Sequence, residues 1–249
     1  MSPREANELF HLLFLRVLTS SADRAHYRVK GGCNLRFWFK SVRYSEDLDL
    51  DVVITSRATL RNKIDRILEA GPLVAMLRTR GLAIEAWSAP KQTDTTQRWK
   101  VSLRSDDSRT AIHTKIEFSR RQPAGVHAYE PVDANLARQH GIPAPLANHY
   151  LAPAALVQKI RALAGRSQPQ ARDVFDVHLL LSSGAHPKKN AVRSAHLHAA
   201  ISRAVDVSYD DFMGQVGAFL EPAHRVLYES REVWNQMQAE VVDGLEALV

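Results

Sequence analysis

The sequence predicts an α+β protein, with a mixed β-sheet core, flanking helices and a helical C-terminal part. Three observations predict this class. Short strand-like segments are concentrated before residue 122, several prolines and few periodic runs follow between residues 122 and 153, and helix-like patterns fill the remainder. We therefore expect two closely packed domains, a core at residues 1–122 and a mainly helical domain at residues 123–249 that completes the active site.

The composition is that of an ordinary globular protein. Of 249 residues, 45% are hydrophobic and 24% are charged, which excludes long disorder and allows a sizeable core. The net charge of +6 is compatible with a nucleic acid or another polyphosphate partner. Cys33 is the one cysteine, and the sequence shows no signal peptide and no membrane-spanning run. We expect a cytoplasmic protein with no membrane partner.

The N-terminal elements are predicted from local patterns. Residues 3–20 predict an amphipathic helix that covers a sheet, because the apolar run is interrupted by polar and charged residues. Residues 27–30 predict a short strand. Gly31 and Gly32 end that strand, and a second helix follows to about Lys40.

An acidic strand is predicted at residues 47–54, where acidic and apolar residues alternate. The alternation places Asp47, Asp49 and Asp51 on one face. A solvated strand face is one interpretation, but acids are poor strand formers and three alternating ones need a reason. A metal site supplies that reason.

The later elements follow in the same way. Residues 59–80 predict helix, interrupted at Gly71 and Pro72 because proline disfavours a helix interior. Three strands are predicted at residues 82–87, 99–104 and 110–118, with a turn at residues 106–108. Helices are predicted at residues 153–164, 172–182, 188–205, 209–219 and 222–248, and the last of these can be broken.

The glycine turn and the acidic strand together predict a phosphate and metal site. Gly31 and Gly32 let the backbone approach a phosphate and expose the amides of the following helix. On a strand, residues two apart point the same way at roughly 7 Å spacing, so Asp47 and Asp49 can share one metal cluster. Mg²⁺, with Mn²⁺ as a substitute, often takes one or two carboxylates plus phosphate oxygens and water.

A third carboxylate is expected from a neighbouring strand. Glu117 shares its face with His113 and Lys115 and is the preferred third ligand or general base, whereas Asp51 is the rival on the acidic strand itself. A cross-strand pair between Glu117 and a Lys or Arg would explain the same pattern.

Three charged residues of the C-terminal part are further candidates. Lys159, on a predicted helix, can hold a triphosphate as a point charge. Asp173 and Asp176 share one face of the next helix, where they can orient Lys159, Arg172 or the nucleotide. Purely structural roles at a helix surface or a helix start are the alternative.

Three motifs, in their order along the chain, resemble the AbiEii/AbiGii nucleotidyltransferase-like toxin family. They are KGGCNLR at residues 30–36, RYSEDLDLD at residues 43–51 and RDVFD at residues 172–176. The resemblance implies a core like that of DNA polymerase β, magnesium dependence and an NTP substrate. It further implies an RNA acceptor, namely the tRNA 3′ end, a block of translation, and restraint by a cognate antitoxin in a type IV-like system.

The resemblance also implies roles for individual residues. The family glycines fall on Gly31 and Gly32, and the metal carboxylates fall on Asp47 and Asp49. The later family positions fall on Lys159, Asp173 and Asp176. Because the wider superfamily often has Gly-Ser where this chain has Gly-Gly, phosphate contacts are left to backbone amides, Asn34, Ser45 or Arg43.

Two other functions remain open from the sequence. The same core can modify a small molecule or a protein hydroxyl. A nucleotide- or RNA-binding protein without catalysis is the alternative from another class.

Overall fold

The computed structural model describes residues 1–20, 25–69, 71–121 and 123–249, and the chain divides into two units. Unit 1 comprises Met1–Lys40 and Tyr44–Tyr150, and unit 2 comprises Ser41–Arg43 and Leu151–Val249. Unit 1 thus continues to Tyr150, beyond the division that we expected at residue 122. Residue 122 and residue 70, which belongs to the predicted helix at 59–80, lie outside the described residues.

Unit 1 contains a mixed sheet and flanking helices, as the α+β class predicts. Its helices are Pro3–Thr19 (α1), Gly31–Trp38 (α2), Arg57–Glu69 (α3), Gly71–Arg78 (α4) and Ala134–Gln139 (α5). Its strands are Tyr27–Lys30 (β1), Asp47–Val52 (β2), Leu82–Gln92 (β3), Thr96–Ser105 (β4), Ser108–Ser119 (β5), His127–Pro131 (β6) and Leu146–Tyr150 (β7).

The seven described strands form one sheet in the order β3-β4-β5-β2-β1-β7-β6. Strands β3, β4 and β5 pair antiparallel, β2 pairs parallel with β5 and antiparallel with β1, and β7 pairs parallel with β1. Strand β2, which carries the alternating acids, therefore lies inside the sheet between β1 and β5. The predicted acidic strand is confirmed as a strand and ends at Val52.

Strands β6 and β7 were not predicted, and they explain why unit 1 extends to Tyr150. Both strands are five residues long and are rich in polar residues, so neither shows a clear alternation. Strand β7 pairs with β1, with Val29 opposite His149, and β6 pairs with β7 as the edge strand of the sheet. Pro131 ends β6 at that edge, where a missing amide proton is tolerated.

The two faces of the central strands differ sharply in polarity. Leu48 and Leu50 of β2, Ile116 and Phe118 of β5, and Trp99 of β4 are buried in the core on one face. Helix α1 contributes to the same core and begins with a capping box, in which Ser2 and Glu5 satisfy each other's backbone amides. Because strand side chains alternate, the charged residues of β2 lie on the opposite face.

Unit 2 is helical, as predicted. Its α-helices are Ala152–Gly165 (α6), Ala171–Ser182 (α7), Ser194–Val205 (α8), Tyr209–Gln215 (α9), Pro222–Tyr228 (α10) and Arg231–Glu246 (α11). In its core, the ring of Phe212 stacks on Trp234 with centroids 4.6 Å apart. Among the described residues, no helix has the length and apolar character needed to cross a membrane.

Candidate active site

The acidic face of unit 1 is the charged face of β2 and β5 that carries Asp47, Asp49, Asp51 and Glu117. In the parallel register between the two strands, Asp49 lies opposite Glu117. Paired residues of neighbouring strands point to the same face, so the two carboxylates are side by side. The sheet therefore brings Glu117 next to the D-x-D motif.

Cations from neighbouring strands compensate two of these carboxylates. Lys115 Nζ lies 2.7 Å from Asp47 Oδ2, and Arg98 Nε donates a hydrogen bond of 2.6 Å to Glu117 Oε2. The side chains of Asp47 and Glu117 remain 24% and 26% exposed. The Arg98–Glu117 contact is the cross-strand pair that the sequence left open as an alternative, and it leaves Glu117 at the edge of solvent.

Asp51 is held in a different environment from Asp47. It is buried, with Lys30 Nζ at 2.5 Å and the hydroxyl of Tyr150 donating at 2.6 Å. Burial and the neighbouring Asp51 carboxylate raise the pKa of Tyr150, so this hydroxyl keeps its proton. Two close partners therefore occupy Asp51, the rival candidate for the third metal ligand.

The glycine turn packs directly against the acidic strand. Gly31 has φ +67°, a left-handed conformation, and a Cβ at this position would lie 2.7 Å from Asp49 Oδ2. Both the backbone conformation and the close approach require glycine. Gly31 and Gly32 are the first residues of α2, and Lys30 at the N-cap makes no side-chain capping bond. The amides at this helix start thus lie beside Asp49.

Two side chains hold the backbone at the start of β2. The Cys33 thiol donates to the carbonyl oxygen of Asp47 at 3.1 Å, and the Ser45 hydroxyl donates to the same oxygen at 3.0 Å. Burial raises the pKa of the Cys33 thiol, so it stays protonated and able to donate. Ser45, predicted as a nucleotide contact, therefore lies beside Asp47 and supports its backbone.

A buried polar pair beneath the acidic face was missed by the sequence analysis. The Thr114 hydroxyl donates to the Glu46 carbonyl at 2.7 Å, and His11 Nε2 lies 2.7 Å from the Thr114 oxygen. Because the hydroxyl has only one proton, the His11 ring must donate the second hydrogen bond through Nε2–H. Burial lowers the pKa of His11 to about 3, which keeps the ring neutral. Neither residue belongs to a motif that would have revealed it.

Asn34 anchors helix α2 and does not face solvent. Its amide nitrogen donates to the Tyr150 carbonyl at 2.9 Å, and its oxygen lies 3.1 Å from His149 Nδ1. Asn34 is buried, so these contacts fix the helix that begins at the glycine turn. The structure gives it a supporting position rather than an exposed one.

Unit 2 contains a buried charge cluster that consists of Arg43, Lys159, Arg166, Asp173 and Asp176. Arg43 Nη2 donates to both carboxylate oxygens of Asp176 at 3.1 Å, and Lys159 Nζ lies 2.5 Å from Asp176 Oδ2. Asp173 lies 3.6 Å from Lys159 Nζ and 2.5 Å from Arg166 Nε. Residues predicted as separate nucleotide contacts and acids are thus joined in one network.

Asp176 is ionised within this network despite complete burial. Burial alone would raise its pKa, but Arg43 and Lys159 outweigh burial and hold the pKa of Asp176 below its ordinary value. Two carboxylates face three cations, so the cluster carries an excess of positive charge. The Lys159 and Arg166 side chains keep 13% and 39% of their surface exposed, whereas both aspartates have none.

The acidic face fits a magnesium ion shared with a phosphate substrate. Among the described residues, no three His, Cys, Asp or Glu side chains are grouped closely enough to form a metal site by themselves. Mg²⁺ nevertheless often takes one or two protein carboxylates and completes its shell with phosphate oxygens and water. Asp47 and Asp49 supply two carboxylates on one strand face, with helix amides beside Asp49 for an anion.

Several known proteins are similar to this chain. A family model described as "Nucleotidyl transferase AbiEii toxin, Type IV TA system" matches residues 13–247. JHP933 from Helicobacter pylori has a TM-score of 0.60 at 16% identity, with 99% of this chain and 95% of that chain covered. MenT4, a nucleotidyltransferase toxin from Mycobacterium tuberculosis H37Rv, has a TM-score of 0.55 at 16% identity, with coverage of 98% and 93%. A search of curated proteins gave no match.

These findings confirm the resemblance seen in the three motifs and the predicted fold class. At such low identity, the solved structures show a shared fold, while the family model spans nearly the whole chain. The protein is a nucleotidyltransferase, and the chain belongs to the AbiEii family of nucleotidyltransferase toxins from type IV toxin–antitoxin systems.

Proposed function

We propose that this protein transfers a nucleoside monophosphate from an NTP to a hydroxyl of an RNA acceptor, with the tRNA 3′ end as the target, and thereby blocks translation. The observation that carries the proposal is the contact between the glycine turn and the acidic strand. Gly31 lies against the Asp49 carboxylate, so backbone amides of the kind that bind phosphate are next to carboxylates of the kind that bind Mg²⁺.

Asp47 and Asp49 hold Mg²⁺ or Mn²⁺ in this proposal. When bound, the ion lowers the pKa of the acceptor hydroxyl and neutralises charge on the phosphates. Glu117 is the third acid and accepts the proton of that hydroxyl, since it lies beside Asp49 and keeps part of its side chain exposed. The acceptor oxygen forms a bond to the α-phosphorus while the bond to the pyrophosphate oxygen breaks, so pyrophosphate leaves.

In unit 2, Lys159 of the buried charge cluster is the side chain that we assign to a phosphate. Lys159 binds a phosphate through its exposed part, and Asp173 and Asp176 hold its ammonium group in position. In unit 1, Ser45 lies beside the start of the acidic strand and orients the triphosphate with the amides of Gly31 and Gly32. In unit 2, Arg43 holds the Asp176 carboxylate, which in turn positions Lys159. We further propose a cytoplasmic location, where NTPs and tRNA are present, and a cognate antitoxin as the partner that restrains the activity.

The test is incubation of the full chain with total RNA and each labelled NTP in Mg²⁺ or Mn²⁺. We expect one NTP to label an RNA band of tRNA size. The variants Asp47→Asn and Asp49→Asn should reduce transfer by about 10²–10³-fold, the loss typical when one electrostatic group of the transition state is removed. Asp94→Asn is the matched control, since Asp94 is 92% exposed and should transfer normally.

Each other result changes a defined part of the proposal. Label found on a small molecule or on protein would overturn the RNA acceptor while keeping the transferase chemistry. Transfer that is unchanged in both variants would overturn the metal assignment. Absence of label and of pyrophosphate release with every acceptor would favour a binding protein without catalysis.

A further inference from the structure

A cavity of about 530 Å³ lies on the charged face of the sheet in unit 1, beside Asp47. Small side chains line it at three neighbouring positions of β3 and β4: Ala86 and Ser102 lie opposite each other, and Ser88 is the next residue on the same face of β3. Because these side chains are short, they leave a depression beside the long side chains of Lys100 and Lys115. A volume of this size accommodates a group as large as a nucleotide.

The lining of this cavity includes two lysines on adjacent strands. Lys100 of β4 lies opposite Lys115 of β5, and like charges directly opposite each other destabilise a sheet. Asp47 compensates Lys115 at 2.7 Å. Lys100 is exposed and forms no ion pair with any carboxylate of the described residues, so its charge is available to an anion.

The cavity and the glycine turn lie on opposite sides of the acidic strand. In the strand order β3-β4-β5-β2-β1, residues of β3, β4 and β5 and the first residue of β2, Asp47, line the cavity, whereas Gly31 follows β1. An NTP phosphate bound at the helix amides and an anion bound at Lys100 would therefore flank Asp47 and Asp49 from two sides. Glu117, the proposed base, lies on β5, the strand that borders the cavity.

We propose that this cavity binds a backbone phosphate of the RNA acceptor, next to the hydroxyl that reacts. The inference rests on the proposed function and assigns its second substrate a position in unit 1. Lys100 and Lys115 contact the phosphate, and His113, which lines the same cavity and is exposed, adds a hydrogen-bond donor. Lys100 is thus a binding residue for the acceptor and not for the nucleotide.

Equilibrium binding tests this inference without requiring catalysis. The probe is a fluorescent single-stranded RNA with a free 3′ hydroxyl, titrated with the full chain by anisotropy at several salt concentrations. We expect Lys100→Ala to weaken RNA binding about 3–10-fold and to reduce the slope of log K against log salt by roughly 0.7–1. Binding of each NTP, measured separately, should be unchanged.

Two further variants make the test specific. Ser88→Trp fills the depression from an exposed strand position that tolerates an aromatic residue, and it should weaken RNA binding at least as much as Lys100→Ala. Arg66→Ala is the control for loss of one positive charge. Arg66 is exposed on α3. Helix α3 packs on the face of the sheet opposite the cavity, because its Asp65 accepts a hydrogen bond from Trp99 on that face. RNA binding should therefore be retained in Arg66→Ala.

The outcomes separate this inference from the proposed function. Unchanged RNA binding in Lys100→Ala and Ser88→Trp, with transfer to RNA intact in the wild-type protein, would overturn the cavity alone. Weaker NTP binding with unchanged RNA binding would assign the cavity to the triphosphate and overturn the inference. Absence of RNA binding by the wild-type protein would also overturn the inference about the cavity. If transfer then occurred without RNA, the RNA acceptor of the proposed function would be replaced by another acceptor.

Discussion

The acidic face of unit 1 and the buried charge cluster of unit 2 use the same kinds of side chains in opposite environments. Asp47 and Glu117 keep about a quarter of their surface exposed, whereas Asp173 and Asp176 have none. Exposed ion pairs contribute little stability and exchange partners readily, but buried ones are costly to break. The comparison indicates that the partly exposed carboxylates of unit 1 can bind a ligand, whereas the buried aspartates of unit 2 hold neighbouring cations in place.

Asp176→Ala should produce the largest loss of stability. The substitution leaves Arg43 and Lys159 without the carboxylate that both contact, and breaking a buried pair in this way typically costs about 3–5 kcal/mol. Urea denaturation of the full chain measures the change in the free energy of unfolding. Because the pKa of Asp176 is lowered, its stabilisation is complete above about pH 4 and declines as the pH falls through the lowered value.

The control for this substitution is an aspartate in an exposed pair. Asp94→Ala removes the partner of Arg57, and since both side chains are mostly exposed, the free energy of unfolding should change by less than about 1 kcal/mol. If Asp176→Ala lowered the free energy of unfolding no more than Asp94→Ala does, the buried cluster would contribute no more to stability than an exposed ion pair.

Local sequence patterns predicted the acidic strand, the glycine turn and the helices of the C-terminal part, because each has a short-range signal. The position of Glu117 beside Asp49 depends on the parallel register of two strands that are distant in sequence, which no local pattern indicates. The pair of Arg43 and Asp176 spans 133 residues and has no periodic signal. Residues 41–43 belong to unit 2, where Arg43 forms a β-bridge with Leu220, and no local pattern in the sequence marks this contact.

The same limit applies to the two strands that were missed. Strand β6 reads HAYEP and strand β7 reads LANHY, and neither has the alternation that identified β2. They form because the edge of β1 is available for pairing, a property of the assembled sheet rather than of either segment. Sequence alone therefore found the acids of the candidate site and the cation Lys159, but it did not identify Arg98 as the partner of Glu117 or Arg166 as a partner of Asp173.

Gly31→Ala should have the second-largest effect on stability, and it separates strain from function. An alanine at φ +67° costs about 1–2 kcal/mol, and its Cβ would also displace Asp49 Oδ2. Since misplacement by about 1 Å can cost up to 10²-fold in rate, we expect nucleotide transfer to fall by about 10- to 100-fold.

Gly141→Ala is the matched control for this prediction. Gly141 has φ +61°, also in unit 1, but a Cβ there would meet no atom within 4 Å. Thermal unfolding should show the backbone strain in both variants and a further loss of stability in Gly31→Ala from the contact with Asp49, whereas only Gly31→Ala should lose activity. Equal activity in both variants would mean that the contact with Asp49 has no catalytic consequence.

His11 tests whether burial, rather than membership of a unit, decides how a polar group behaves. It lies beneath the exposed acidic face, yet it is as buried as Asp176, and burial lowers its pKa to about 3. The unfolded chain binds a proton at this residue near pH 6.5, whereas the folded protein does not. The free energy of unfolding should therefore fall by at most about 1.4 kcal/mol per pH unit as the pH drops from 6.5 towards 3.

His11→Gln should remove this part of the pH dependence, because the amide of glutamine can donate to Thr114 but does not titrate. Urea denaturation between pH 7 and pH 5 measures the slope. His198→Gln, at an exposed position, should keep the wild-type slope. A wild-type slope in His11→Gln would show that protonation of this ring is not excluded by folding. A reduced slope would show that folding keeps the His11 ring neutral. Burial would then control the protonation of a polar group beneath the acidic face of unit 1, as it makes the ion pairs of the cluster in unit 2 costly to break.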